Sequence, residues 1–431
     1  MSTTINNILK AVPGGSLRTA FYLSENSCQL VSYFIIHIVM HNLYSLILFL
    51  SFFGISFANA QNDTSRVSVV EYITKHQPRN KAFMLDLELH GGFYNDFEAG
   101  KITESSFRFQ DIKLDISGEI NDKLYYQYRQ RLNGDYSNSA LENLSESIEY
   151  AYIGYNISDR FTLTAGKQDI LYGSYEYDMN PIHIYRYSDM NEYLLCYMMG
   201  LTLGYSISDN QELNIQVTNS RNGDMEYEFG LLPEGIEKPV VPLFYTLSWN
   251  GSFFDEMFGM YYSASSSSQA KGRNMYVFAA GHCLDTEKIH AYVDVMYTRG
   301  GIDPFGLVTE LNVAGMNEDE EIETMLNCDY FSVIAELQYR FNPKWKVFAK
   351  GTYETAGVYK SYNDIEKGKY RTNIGWQAGV EFFPMADDNM RLFLMGLGNN
   401  YQLTQRALNI GAALDNTACL SLGIIYRLPV Y

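Results

Sequence analysis

The chain has 431 residues, with 32 basic and 50 acidic side chains and a formal net charge of −18. Binding to a nucleic-acid backbone needs clustered Lys and Arg, so this acidic composition excludes nucleic acid as an expected partner. The 36 Tyr and 25 Phe residues are numerous, and the aromatic girdles of an outer-membrane barrel use many such side chains.

The N-terminal part of the chain differs from the rest. Residues 44–57 are strongly apolar and precede Ala58-Asn59-Ala60, the small-residue cleavage pattern of a secretory signal peptide. We therefore predict a mature start at Gln61. Met40 follows an earlier apolar patch and is interpreted as the true initiator. The predicted parts are an over-extended N-terminus (1–39), a signal peptide (40–60), a periplasmic lead-in (61–80) and a barrel domain (81–431).

Beyond this lead-in, apolar and polar side chains alternate. In the first segment, Leu85, Leu87 and Leu89 alternate with Asp86 and Glu88, and a period of two indicates a strand with one apolar face and one polar face. Sixteen such segments are predicted, near residues 85–93, 112–120, 125–131, 147–157, 160–168, 200–208, 212–219, 242–250, 257–266, 274–284, 289–299, 329–341, 345–354, 370–383, 389–400 and 417–428.

The order and spacing of these segments favour an all-β transmembrane barrel. Soluble sandwiches and lipocalins also alternate, but here no helical stretch interrupts the series and the strands run to the end of the chain. Short polar connections also alternate with long ones, as expected for periplasmic turns and external loops. Periplasmic termini require an even number of strands, so residues 408–414 are assigned to a loop or to the extension of a strand. We predict an antiparallel up-and-down barrel of 16 strands, with 18 as the alternative, and a barrel of this size encloses an aqueous channel.

The polar face of each strand is predicted to line this channel. The pore-lining candidates carry both signs of charge and are Asp86, Glu88, Lys113, Asp115, Arg129, Arg131, Lys167, Glu336, Gln338, Arg340, Lys346, Lys350, Gln377 and Glu381. The longest connections, 169–199, 220–241 and 298–328, are predicted to be external. The first mixes aromatic and charged residues; an ordinary surface loop is the favoured interpretation, and a loop that folds inward and constricts the pore is the alternative. Its constriction candidates are Tyr175, Glu176, Asp178, Arg186 and Asp189.

No motif for catalysis or for a cofactor is found. The chain contains no G-x-S-x-G, H-E-x-x-H or C-x-x-C pattern, so we predict no catalytic residue, metal site or cofactor. The acidic run from Glu318 to Glu321, with Glu323, is interpreted as a solvated face, with a divalent-ion site as the alternative. Cys196 and Cys328 could pair in an oxidising compartment, but small buried thiols are favoured.

Several short motifs resemble the phosphate-selective porin O and P family of outer-membrane porins of Gram-negative bacteria. They are Phe107-Arg108-Phe109, Ile112-Lys113-Leu114 with Ser117-Gly118, the Asn121-Asp122-Lys123 turn, Tyr150-Ala151-Tyr152, Thr164-Ala165-Gly166-Lys167-Gln168 before Tyr172-Gly173, and the closing Gly423-Ile424-Ile425-Tyr426-Arg427-Leu428. The resemblance implies a sixteen-stranded, trimeric porin. It also implies a basic pair before Ile112, where this chain has Gln110-Asp111.

We therefore predict a water-filled diffusion channel for small hydrophilic solutes or ions, either general or weakly cation-preferring because the protein is acidic. An anion- or phosphate-selective porin is the first alternative. A surface adhesin or an outer-membrane barrel enzyme is the second. The expected surroundings are outer-membrane lipid, lipopolysaccharide and the barrel-assembly machinery.

Overall fold

A computed structural model describes residues 82–134, 136–137, 141–312, 322–385 and 389–430. In it, antiparallel strands form a closed barrel in which β1 pairs with both β2 and β16. The strands are β1 Met84–Glu98, β2 Lys101–Asn121, β3 Leu124–Arg131, β4 Ile148–Asn156, β5 Phe161–Asp169, β6 Tyr197–Ser208, β7 Gln211–Asn219, β8 Leu243–Phe253, β9 Phe258–Ala270, β10 Arg273–Asp285, β11 Ile289–Ile302, β12 Leu326–Asn342, β13 Trp345–Val358, β14 Gly368–Phe382, β15 Met390–Leu403 and β16 Thr417–Pro429. The prediction of 16 strands is confirmed.

Alternation places apolar side chains on the outer wall and polar ones inside. Leu201 on β6 and Ile215 on β7 are more than half exposed on the outer wall. Between the same strands, Gln216 Nε2 donates a hydrogen bond to Thr202 Oγ1 (3.0 Å) on the inside. The barrel thus presents apolar surface to lipid and satisfies its polar groups within, as a membrane barrel must.

Most long connections lie at the external end, but two external connections are short. Residues 99–100 and 271–272 are tight turns, and Ala99 and Gly100 both have positive φ (49° and 75°), which suits a two-residue hairpin turn. Strand β2 therefore begins at Lys101 instead of near 112 as predicted.

The described helices are short: α1 Tyr175–Asp178, α2 Asp189–Tyr193, α3 Met225–Phe229, α4 Gln405–Asn409, and the 3₁₀ turns Pro181–His183 and Thr309–Leu311. No helix in the described ranges has the length and apolar character needed to cross a membrane. Helix α4 and the loop after it occupy the region of 408–414, which was correctly excluded from the strands. The predicted signal peptide, the start at Gln61, residues 1–80 and the acidic run Glu318 to Glu321 lie outside the described residues.

An apolar core fills part of the barrel interior. It includes Tyr172, Met190, Phe244, Phe305 and Leu311, all less than 8 % exposed. These side chains come from two connections as well as from the wall, so residues 170–196 and part of 303–325 pack inside the barrel. One side of the interior is therefore closed by packing.

Asp303 organises the second of these connections. Its carboxylate accepts hydrogen bonds from the backbone N–H groups of Phe305 (3.3 Å), Val308 (3.1 Å) and Thr309 (2.8 Å) and from the hydroxyls of Thr309 and Tyr330. Because the site is buried, these donors would have no solvent to replace the carboxylate. This segment was not predicted to fold inward.

Candidate permeation pathway

Residues 170–196, here called the inward loop, cross the inside of the barrel between β5 and β6. Each of its two short helices starts at a serine cap: Ser174 Oγ accepts from Tyr177 N–H (3.2 Å), and Ser188 Oγ accepts from Asn191 N–H (3.4 Å). Serine at the N-cap is a local sequence signal for these helices. The caps fix the loop's own shape but not its position in the barrel.

Two carboxylates of the barrel wall hold the same helix ends. Asp294 on β11 accepts from the N–H groups of Tyr175 (2.9 Å) and Glu176 (2.8 Å). Glu354 on β13 accepts from the N–H groups of Asp189 (3.0 Å) and Met190 (3.1 Å). A negative group at a helix N-terminus satisfies donors that the helix leaves free. The wall therefore docks the inward loop at both helices.

Glu176 connects the two halves of the loop to the wall. Its carboxylate is fully buried and accepts from Ser188 N–H (3.1 Å), Ser188 Oγ (2.6 Å) and Asn191 Nδ2 (2.6 Å). It also forms an ion pair with Lys350 Nζ on β13. The Glu176 charge is thus compensated only while the loop stays in place.

The central part of the loop is held by β13 and β14. The carbonyl oxygen of Arg186 accepts from Lys350 Nζ (2.8 Å) and Gln377 Nε2 (2.7 Å). The Tyr185 hydroxyl donates to Glu381 Oε1 (2.6 Å), and its ring stacks on Phe348 at 5.0 Å between centroids. With its backbone anchored in this way, Arg186 lies exposed in the remaining lumen.

Two further contacts tie the loop to β14 and β15. Arg371 forms an ion pair with Asp189, and Arg391 donates to the carbonyl oxygen of Ile182. Both arginines are less than 7 % exposed. These anchors therefore lie on four strands, β11, β13, β14 and β15.

Glycines make this close approach possible. Gly173 has a positive φ (66°), and a Cβ there would lie 2.9 Å from the backbone nitrogen of Ser263 on β9. A Cβ on Gly281 of β10 would lie 2.5 Å from Asp294 Oδ1 and 2.8 Å from the Tyr175 nitrogen. The wall can thus reach helix α1 only because position 281 has no side chain.

We expect Gly281→Ala to separate Asp294 from helix α1, with a loss of about 1–3 kcal/mol as is typical of overpacking. Gly351→Ala is the matched control, because no atom lies within 4 Å of a Cβ at that position. Urea unfolding and single-channel conductance of both variants in lipid bilayers test this. Equal behaviour of the two variants would contradict the role given to Gly281.

A cavity of about 780 Å³ remains between the inward loop and the strands on the opposite side. Its charged wall is built around Glu149, which lies 2.6 Å from Arg129 Nε, 3.2 Å from Lys113 Nζ and 3.3 Å from Arg131 Nη2. Asp111 lies 3.2 Å from Arg131 Nε. Three cations thus share two carboxylates on the adjacent strands β2, β3 and β4.

Aromatic rings support this cluster. The Arg129 guanidinium lies 4.1 Å from the centroid of the Tyr150 ring, and its Nη2 donates to the Tyr197 hydroxyl (2.8 Å). Such stacking holds a guanidinium in a fixed orientation. The arrangement is that of a polar cavity bordered by charged groups of both signs.

The profile of the phosphate-selective porin O and P family matches residues 83–428. The chain belongs to this family. It is therefore an outer-membrane porin that forms a channel, as the resemblance in the sequence implied. A search of curated protein sequences found no match.

Solved porin structures share the fold. OmpF of Salmonella typhi, in a complex with daunomycin, is 17 % identical, with a TM-score of 0.51 over 80 % of this chain and 97 % of that one. The outer-membrane channel DcaP of Acinetobacter baumannii is 10 % identical, with a TM-score of 0.53 over 80 % and 96 % of the two chains. At such low sequence identities the comparison shows only that the barrel fold is shared.

The predicted site residues of this porin occupy different places. Of the pore-lining candidates, Arg129 and Arg131 border the large cavity, together with Asp178 and Arg186 of the inward loop. Lys350, Gln377 and Glu381 instead hold the loop, as do the loop's own Glu176 and Asp189. The Tyr175 ring packs against Tyr261 and Tyr292 on the wall.

The remaining candidates form polar pairs on the inner wall. Arg427 Nη2 lies 2.6 Å from Asp86 Oδ2, and Arg427 Nε lies 3.8 Å from Glu88; Asp115 accepts from Gln127 (2.8 Å). The Glu336 carboxylate accepts a hydrogen bond from Gln338 Nε2 (2.5 Å), and the Gln338 carbonyl oxygen accepts one from Lys346 Nζ (2.9 Å). Lys346 Nζ also forms an ion pair with Glu381 (2.6 Å). The Arg340 guanidinium lies over the Phe383 ring.

Lys167 does not lie in the pore, where it was predicted. Its strand β5 turns Phe161 and Leu163 outward, and Lys167 has the same parity. Its Nζ is buried against Glu142 (3.2 Å), a residue of the connection 132–147 that also accepts from Met199 N–H (2.6 Å). Lys167 therefore lies on the outer wall and not in the pore. The prediction placed Lys167 in the pore, whereas Glu142 of this connection covers it on the outer wall.

The sequence prediction also missed Asp294, Glu354, Arg371, Arg391 and Glu149. Alternation within the predicted strands indicated an inward direction for Asp294, but no sequence signal indicated that its partners lie more than a hundred residues away in the inward loop. Long-range partners of this kind become visible only when the barrel closes.

The four described cysteines, Cys196, Cys283, Cys328 and Cys419, are free. Burial raises the pKa of the Cys196 thiol to about 11, so it stays protonated and weakly nucleophilic at neutral pH. The described residues contain no cluster of His, Cys, Asp or Glu able to hold a metal ion.

Proposed function

We propose that this porin is a general diffusion channel for small hydrophilic solutes and ions, with a weak preference for cations. The acidity of its external connections is the observation that carries this proposal. The segments 132–147, 220–242 and 303–325 together contain 15 acidic and 2 basic side chains, and one of the 15, Asp303, is buried inside the barrel. A mouth with this charge concentrates cations and repels anions before they enter.

The lumen itself supports only weak selectivity. Its large cavity is bordered by Arg108, Arg129, Arg131 and Arg186, and also by Asp96, Asp111, Asp169, Asp178 and Glu192. Several of these charges neutralise one another directly; Arg108 Nη1, for example, lies 2.6 Å from Asp96 Oδ2. A permeating ion of either sign therefore meets compensating groups.

The remaining alternative within the family is a phosphate- or anion-selective pore, which the basic cluster of Lys113, Arg129 and Arg131 would have to support. Glu149 and Asp111 neutralise most of that cluster. An adhesin or a barrel enzyme would require a function beyond the channel, and its refolded barrel would not need to conduct.

We expect purified protein in planar bilayers to conduct, with a reversal potential in a KCl gradient that indicates a potassium-to-chloride permeability ratio modestly above one. The ratio should fall toward one at high salt, because salt screens the charges of the mouth. The permeation of sugars of graded size then measures the width of the channel. A strongly anionic reversal potential would contradict the proposal, and an absence of conductance would favour the adhesin.

We further propose that the mature chain begins at Gln61 after removal of a signal peptide, is inserted by the barrel-assembly machinery and forms a homotrimer among outer-membrane lipid and lipopolysaccharide. The family membership supports the trimer. N-terminal sequencing and native mass spectrometry of the protein from outer membranes test the start and the subunit number.

A further inference from the structure

The large cavity has an uncharged part beside its charged cluster. Four polar side chains from three adjacent strands border the cavity there, and none carries a permanent charge. We call them the neutral corner: His90 and Tyr94 of β1, Gln110 of β2 and Ser421 of β16. Tyr94 and Ser421 lie directly opposite each other, and β1 lies between β16 and β2. The four side chains therefore come from one part of the wall.

Gln110 reaches this place through a β-bulge. The pairing of β2 with β1 steps from Asp111 to Phe109, so Gln110 is an additional residue of β2. A bulge redirects a side chain, and the backbone oxygen of Gln110 is held by Asn133 Nδ2 (3.1 Å). The side chain is exposed and borders the cavity. An uncharged amide thus occupies a position where the family resemblance implied a basic residue.

Polar atoms of the neutral corner are available to a ligand. His90 Nε2 and Ser421 Oγ have no hydrogen-bond partner among the residues that the structure describes, although both side chains are less than 5 % exposed. A buried polar atom without a partner costs free energy, so a ligand that supplies the partner is favoured. Imidazole, hydroxyl and amide groups each offer a donor and an acceptor. The hydroxyl groups of a sugar also do both.

The charges next to the neutral corner are paired. Asp96 on β1 lies 2.6 Å from Arg108 Nη1, and Asp111 lies 3.2 Å from Arg131 Nε. The Arg108 guanidinium also lies 4.6 Å from the centroid of the Tyr94 ring. Because these charges already have partners, the corner itself favours a ligand without net charge.

Apolar surface adjoins the neutral corner on its other side. Phe393 and Met395 of β15 border the cavity, and Met395 lies opposite Ser421. The Phe393 ring packs against His90 (5.5 Å between centroids) and against Tyr185 of the inward loop (4.9 Å). Hydrogen-bonding groups next to aromatic and aliphatic carbon suit a ligand that has hydroxyl groups at its rim and a C–H surface. A sugar ring has this character.

We propose that the neutral corner binds a neutral saccharide during its passage through the channel. The proposal rests on the diffusion channel proposed above and adds that the passage of this class of solute is saturable. The cavity of about 780 Å³ is in the size range of small-molecule sites, about 300–1,000 Å³. A channel without such a site would pass sugars in proportion to their concentration.

The test measures the KCl current of the full protein in planar bilayers during addition of maltose, and the heat of maltose binding to the same protein in detergent. We expect a saturable decrease in current, with half-saturation in the millimolar range. Gln110→Leu keeps the side-chain size but removes a donor and an acceptor, so the half-saturating concentration should rise about fivefold. Neither this change nor its control alters a charge, so the permeability ratio should stay that of the unaltered protein.

Gln402→Leu is the matched control. Gln402 is exposed, does not border the cavity and shares the outward parity of Leu392 on β15, so this variant should bind maltose normally. Ser421→Ala, expected to raise the half-saturating concentration about threefold, serves if Gln110→Leu does not fold. Poly(ethylene glycol) of similar molecular mass has ether oxygens in place of sugar hydroxyls and should reduce the current equally in all variants.

Equal maltose binding by Gln110→Leu and Gln402→Leu would overturn the proposal, and so would a decrease in current that is proportional to maltose concentration. A changed effect of poly(ethylene glycol) in Gln110→Leu would assign this residue to the width of the channel and would also overturn the site. Maltose binding in detergent without conductance would refute the channel proposal and leave the saccharide site intact. Conductance without saturable maltose binding would have the reverse meaning.

Discussion

Replacement of Lys350 by Met is expected to release the inward loop and to give a larger, fluctuating single-channel conductance. The Glu176 carboxylate is fully buried and Lys350 is 5 % exposed. Removing one partner of such a buried pair leaves an uncompensated charge, at a cost of about 3–5 kcal/mol. The Arg186 carbonyl also loses one of its two donors, while the methionine keeps most of the apolar side-chain volume.

Bilayer recordings and limited trypsin digestion measure this effect, because a released loop exposes the backbone after Arg186 to cleavage. Lys344→Met is the control, since Lys344 is exposed in the turn between β12 and β13. The double variant Glu176→Gln and Lys350→Met should regain part of the stability, because it carries no unpaired buried charge. Normal conductance and trypsin resistance in Lys350→Met would refute the anchoring role of this pair.

Replacement of Glu149 by Gln is expected to shift the channel toward anions by severalfold in permeability ratio. Glu149 lies within 3.3 Å of nitrogens of Lys113, Arg129 and Arg131. Without its charge, Asp111 is the carboxylate that remains paired with Lys113 and Arg131 beside the cavity, and Arg129 loses its ion-pair partner. Because this wall is partly shielded from solvent, the added field acts on ions over the length of the cavity.

Reversal potentials in a KCl gradient compare this variant with Glu366→Gln. Glu366 pairs with Arg406 in an exposed external site (3.4 Å), so its replacement changes the net charge equally but away from the cavity. The electrophoretic shift between heated and unheated barrel checks folding, since the loss of one of two carboxylates beside three cations also destabilises the wall. An unchanged permeability ratio in folded Glu149→Gln protein would show that ions pass elsewhere.

The strand pattern was accessible from the sequence because each strand contacts lipid on one face and water on the other. The predicted segment 329–341 corresponds to β12 Leu326–Asn342, and each of the other predicted segments likewise overlaps one strand. The external half of β2 was not predicted, because Thr103, Glu104, Ser105 and Ser106 are all polar. That half is defined by pairing with β1 and by the Ala99-Gly100 turn.

The roles of the site residues were harder to predict from the sequence. Alternation predicted that Lys350 and Glu381 point inward, but whether such a side chain borders water or holds a loop depends on the segment opposite. Lys167 shows the same limitation on the other face, because a charged residue on the lipid-facing side is tolerated when Glu142 covers it. The sequence could therefore predict the face of the barrel wall on which a side chain lies, but not the residues that it contacts.

The sequence alone determined the barrel, its sixteen strands and the family, because the two-residue period and the turn residues are local properties. Only the tertiary structure decided that the inward loop docks on Asp294, Glu354 and Lys350 and that Glu149 neutralises the basic wall. These contacts join residues far apart in the chain. They form because charges buried in a closed barrel must find partners wherever the closed wall brings them together.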